Sequence, residues 1–79
     1  MQDIENRILH FIRIHAQLQS TEEIDKNQTF ENIGLDSLDS VEVIFDVERQ
    51  YNLIIDDEIF ENLNTPNKLI SYIIAHQLS

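Results

Sequence analysis

The chain has 79 residues, no cysteine, 42% hydrophobic residues and 15 acidic against five basic side chains, a net charge of −10. That length and composition set the expectation of one domain spanning 1–79 with a single core, and they exclude disulfides, thiolate metal sites and cysteine nucleophiles. The charge repels nucleic-acid phosphate and anionic lipid, and no apolar run approaches the roughly 18 residues of a membrane span, so a soluble cytoplasmic monomer is expected, with neither nucleic acid nor membrane as a partner.

One glycine and one proline leave few breakers, and the chain reads as mostly helical. Ile4, Ile8, Phe11, Ile12 and Leu18 recur at helical spacing and define a first amphipathic helix. The pattern fades into a polar stretch from Gln19 to Thr29, where Ser20 to Glu23 resembles a capping box. Ile24, Phe30 and Ile33 are the residues expected to pin this long loop to the core. A second helix is predicted from Ser37 to Tyr51, with Asp36 as N-cap and Asp39 favouring the positive end of the helix dipole. Leu53-Ile54-Ile55 is apolar but has no partner strand, and Asp56 to Leu63 forms a short third helix. The last helix has Thr65 as cap and Pro66 at its first position, with Leu69, Ile70, Ile73, Ile74 and Leu78 on its buried face.

The second helix carries two apolar stripes. Val43, Val47 and Tyr51, with Ile44 beside them, make a core face; Leu38, Val41 and Phe45 lie on another face, rotated away from the first. Asp36, Asp39, Glu42 and Asp46 border the second stripe with carboxylates. Such a stripe is either extra core or an exposed apolar patch; with its charged border an exposed patch resembles a docking surface, in which charges steer a partner and apolar residues hold it, against the plain alternative of a solvated helix face.

Gly34-Leu35-Asp36-Ser37-Leu38-Asp39-Ser40 sets a serine hydroxyl at the start of that helix, just after the only glycine. A helix-start serine is common capping chemistry, and that reading stands beside any functional one. Nucleophilic catalysis needs an oriented base, and none of His10, His15 and His76 is placed to act as one. No catalytic residue and no metal site is expected; Asp56, Asp57, Glu58 and Glu61 lack the ligand alternation of a calcium loop. Esterification of Ser37 by a phosphate-bearing group fits better, because a helix N-terminus presents unpaired N–H groups to an anion.

The run from Gly34 to Glu42 resembles the signature of acyl carrier proteins, and the resemblance extends over about Ile4 to Leu78, including Phe30 and the stretch Glu48 to Tyr51. It implies an all-α four-helix bundle with a long first loop and a short third helix. It implies that Ser37 carries covalent 4′-phosphopantetheine, transferred from coenzyme A by a separate phosphopantetheinyl transferase, and that the terminal thiol holds acyl groups as thioesters. The chain would then be a non-catalytic, stand-alone carrier in fatty acid or related biosynthesis. Its partners would be an acyl or aminoacyl ligase, an acyltransferase or a ketosynthase with a basic docking surface. By the same resemblance Asp36, Leu38, Asp39, Val41, Glu42, Phe45 and Glu48 form the surface these enzymes recognise.

Several positions depart from the fatty acid type. Ile55-Asp56 stands where Ile-Pro is frequent, Arg49 where an acid is usual, and Phe45 where the residue is smaller. The loop before Asp36 is one residue shorter, and Asn64-Thr65-Pro66-Asn67 resembles the matching stretch of D-alanyl carriers. A dedicated carrier of aminoacyl, polyketide or D-alanyl groups is the alternative. A third reading, of another class, is an acidic interaction module that is never modified.

Overall fold

A computed structural model describes residues 2–19 and 21–78. Five helices follow one another: α1 (Gln2–His15), α2 (Phe30–Ile33), α3 (Ser37–Tyr51), α4 (Asp57–Asn62) and α5 (Pro66–Leu78). No strand occurs among the described residues, so Leu53-Ile54-Ile55 is a connection. The expected bundle of four helices is present, with the one-turn α2 added at the end of the long first loop. The expected capping box begins at Ser20, and the side chain of Leu78 was expected on the buried face of α5; both lie outside what is described.

α1 packs chiefly against α3 and α5. Ile8 and Ile12 from α1, Val43 and Val47 from α3, and Leu69 and Ile73 from α5 are fully buried where the three meet. Leu18, expected on the first helix, lies beyond it. Gln17 takes a left-handed conformation (φ 59°), and the Leu18 N–H returns to the Arg13 carbonyl at 2.9 Å, closing the helix as a Schellman turn does. Asn52 (φ 55°) ends α3 in the same way, with the Leu53 N–H on the Glu48 carbonyl. Tyr51 sits half-buried at that end. Burial holds its phenol above the ordinary tyrosine range, against the pull of Arg7 and with a push from Asp3, so the neutral ring is favoured there.

The first loop is clasped rather than loose. The Asn67 N–H donates to the Lys26 carbonyl (3.0 Å), its side-chain amide to Asn27 Oδ1 (2.6 Å), and the Phe30 N–H to the Asn64 carbonyl (3.0 Å). Lys26 also pairs with Glu5 of α1. Phe30 is buried, and Ile24 and Ile33 pack against the core, as the sequence predicts.

α2 exists because both of its ends are capped. Thr29 Oγ1 accepts the Asn32 N–H (3.2 Å), and Gly34, at φ 117°, donates to the carbonyls of Phe30 and Glu31. Space around Gly34 is open, yet its backbone conformation strains any L side chain. Gly34→Ala is expected to cost about 1–2 kcal/mol, lowering the melting temperature by very roughly 4–16 °C in a domain of this size, as read from a thermal melt. An unchanged melt would mean that the turn relaxes to negative φ.

Candidate functional site

Ser37 is exposed at the first position of α3. Its placement follows from two neighbours. Leu35, buried to 2% exposure, anchors the chain just before the helix, and Asp36 Oδ1 accepts the Asp39 N–H at 2.8 Å. The Asp36 carbonyl takes the Ser40 N–H at 2.9 Å. The first-turn amides of Ser37 and Leu38 stay outside the intrahelical ladder and point with the dipole toward any anion on the Ser37 hydroxyl. That attraction is worth only about 0.3–1 kcal/mol at an exposed site, so it accommodates a phosphodiester without driving its formation.

An open groove of about 590 Å³ runs beside the hydroxyl, between α2, the start of α3, and α4. Phe30, Leu35, Val41, Phe60 and Leu63 give it an apolar floor, while Glu31, Asp36, Ser40, Glu61 and Asn64 line its polar parts. None of the histidines lines it, and neither does any lysine or arginine. α4 forms one wall with no fully buried residue, and its N-cap Asp56 makes no side-chain cap bond.

The second stripe of α3 lies at the surface: Leu38 is 66% and Phe45 51% exposed, and Val41 is partly buried along the groove. The stripe is therefore exposed apolar surface rather than extra core. Ile54, in the connection after α3, is 84% exposed, and it shares a hollow of about 330 Å³ with Phe45 and Arg49.

The acidic border is less uniform than its spacing suggests. His15, at the end of α1, sets Nδ1 3.2 Å from Glu42 and Nε2 2.6 Å from Asp46. A doubly protonated ring donates to both carboxylates in this arrangement. Asp46 also pairs with Arg49, one turn on. Glu48 accepts the Ile55 N–H at 2.7 Å and so secures the connection to α4. Neither Asp39 nor Asp36, which caps the helix, has a cation partner among the described residues. Sequence reasoning misses His15, which nothing links to residues 27 and 31 positions away. The Asp46–Arg49 pair was available from helical spacing alone.

With 15 acids and few partners for them, repulsion opposes compaction. Added salt, which shortens the screening length from about 10 Å at 0.1 M, is expected to raise the melting temperature. A fall would mean that the His15, Lys26 and Arg49 pairs outweigh the repulsion.

A family model described as the phosphopantetheine attachment site matches residues 13–73. A protein of Schizosaccharomyces pombe named as a mitochondrial acyl carrier protein is 35% identical over 72 residues, which cover 90% of this chain and 64% of that protein. The chain thus spans just under two thirds of the relative's length. The relative's name also corrects the expectation of a cytoplasmic location. That expectation rested on missing cysteines and a missing apolar run, and these features do not separate one aqueous, reducing compartment from another. No helix among the described residues is long and apolar enough to cross a membrane.

Proposed function

The chain belongs to the acyl carrier protein family, whose covalent cofactor is 4′-phosphopantetheine, and from that premise we propose that Ser37 is the residue that bears it. The observation that carries this reading is the exposed Ser37 hydroxyl at the first turn of α3, on the rim of a groove with an apolar floor. In this reading the serine oxygen displaces adenosine bisphosphate from the phosphopantetheine phosphate of coenzyme A. Its proton passes to a base on the transferase, since no histidine stands on the groove and Asp36 is committed to its cap.

The carrier holds acyl intermediates as thioesters, in fatty acid or related acyl biosynthesis, and performs no catalysis itself. It passes them to ligases, acyltransferases or ketosynthases. The arm supplies the thiol that a cysteine-free chain lacks. Asp36, Leu38, Asp39, Val41 and Phe45 are the recognition residues most open to a partner; Glu42 is shared with His15, and Glu48 is held by Ile55.

The test is intact mass after incubation with coenzyme A and a broad-specificity phosphopantetheinyl transferase. A gain of one phosphopantetheinyl group, mapped to the peptide containing Ser37, is the expected result. A clean unmodified mass, under conditions that label a control carrier, would favour either a dedicated transferase or the acidic interaction module.

A further inference from the structure

Resting on the carrier reading above, we infer that Lys68 is a self-acylation site, whose ε-amine takes the acyl group from a thioester borne on Ser37 and keeps it as an amide. The chain has two lysines, Lys26 and Lys68, and their surroundings differ. Lys26 pairs with Glu5 of α1; it neither lines the groove beside Ser37 nor hydrogen-bonds to a residue that does. Lys68, exposed near the start of α5, donates through Nζ to Asn64 Oδ1 at 3.1 Å, and Asn64 is part of the groove wall. Lys68 also lines a hollow of about 460 Å³, and Leu63 lines both that hollow and the groove. No carboxylate pairs with Lys68 among the described residues. The amine next to the groove is therefore held by a neutral amide and not by an acid.

Ser37 and Asn64 line one groove, so an amine bonded to Asn64 stands within range of a thiol tethered at Ser37. A phosphopantetheine arm has the backbone length of roughly five residues, about 15 Å when extended. The whole molecule measures 32 Å along its longest axis. Tethering gives the amine an effective concentration on the order of millimolar, so at micromolar protein it outruns lysines of other molecules by about a thousandfold. In the reaction the unprotonated Nζ attacks the thioester carbonyl. An N–C bond forms, the C–S bond breaks, and the sulfur leaves as a thiolate that takes up the proton released by the nitrogen. Nothing is oxidised or reduced, and the acyl thioester is the sole co-reactant. Asn64 is a positioning residue here, since its Oδ1 keeps the amine at the groove wall. The product loses the charge of Lys68, one of only five basic side chains, and holds its acyl group where thiols no longer exchange it.

The experiment loads the full chain from acetyl-coenzyme A with a broad-specificity transferase and incubates it at mildly alkaline pH. Hydroxylamine then removes thioesters and leaves amides, and peptide mapping by mass locates any acetyl group that remains. The expected result is an acetyl amide on Lys68 and not on Lys26, formed at a rate independent of protein concentration. Lys68→Arg should load like wild type, keep its melting temperature and gain no amide. Asn64→Ala is expected to slow the transfer several-fold for each thioester loaded. Ser37→Ala, incubated with the same acetyl-coenzyme A, should stay unacetylated at Lys68. Acetylation there in Ser37→Ala, a rate that rises with protein concentration, or equal acetylation of Lys26 would overturn the proposal by showing transfer from outside the molecule. A loaded thioester that only hydrolyses would overturn it too, leaving the carrier reading intact. Failure of the wild-type chain to load at Ser37 would overturn both.

Discussion

Ser37→Ala is expected to give a folded chain that gains no phosphopantetheine. The side chain is exposed and makes none of the cap bonds, which belong to Asp36, and alanine is well tolerated in the first turn of a helix. The melting temperature should therefore stay close to wild type, as for other surface substitutions within about 0.5 kcal/mol. Ser40 makes the test sharp. It sits one turn on, lines the same groove and carries the same nucleophile. It is partly buried, whereas Ser37 is exposed. Ser40→Ala should be labelled like wild type. Labelling that survives Ser37→Ala and vanishes in Ser40→Ala would move the attachment site by one turn.

The parts of the fold legible in the sequence are those fixed by short-range chemistry. α3 begins and ends at the predicted residues because Asp36 caps it and Asn52 can turn left-handed. α5 starts at Pro66 behind Thr65, whose Oγ1 accepts the Lys68 N–H at 3.2 Å. α4 is the predicted helix less its two cap residues, Asp56 and Leu63. The one-turn α2 escapes a periodicity argument because four residues contain no repeat. Its caps, Thr29 and Gly34, were present in the sequence and could have announced it.

Contacts across the bundle were not legible. Glu42 and Asp46 look alike, by spacing, to the unengaged Asp39, and only the arrival of α1 brings His15 against them. Glu48 looks like one more surface acid until the chain after Asn52 folds back and gives it the Ile55 N–H. Asn27 and Asn67 meet over a separation of 40 residues. The exposed pairing of Phe45 with Ile54 is of the same kind: periodicity ends with α3, and the hollow they share depends on how the chain leaves the helix.

Phe30→Ala is expected to remove a large share of the protein's stability. The ring is 4% exposed, its N–H holds the Asn64 carbonyl, and its own carbonyl accepts the N–H groups of Gly34 and Leu35. Truncating a buried phenylalanine costs about 3–5 kcal/mol, through lost burial and the cavity left behind. A domain of this length holds only about 4–12 kcal/mol in total, so denaturant unfolding should shift to much lower urea concentration or begin in buffer alone. Phe30→Leu, which keeps most of the volume, should cost far less and serve as the folded comparison. The size of the loss reports on the groove, because Phe30 is one of the residues that line it. If water entering from the groove already solvates the vacated space, the cavity cost disappears and the loss falls toward the transfer cost alone. A loss below about 1 kcal/mol would mean that the groove, not the core, owns Phe30. The floor beside Ser37 would then be soft enough to yield to whatever the arm carries.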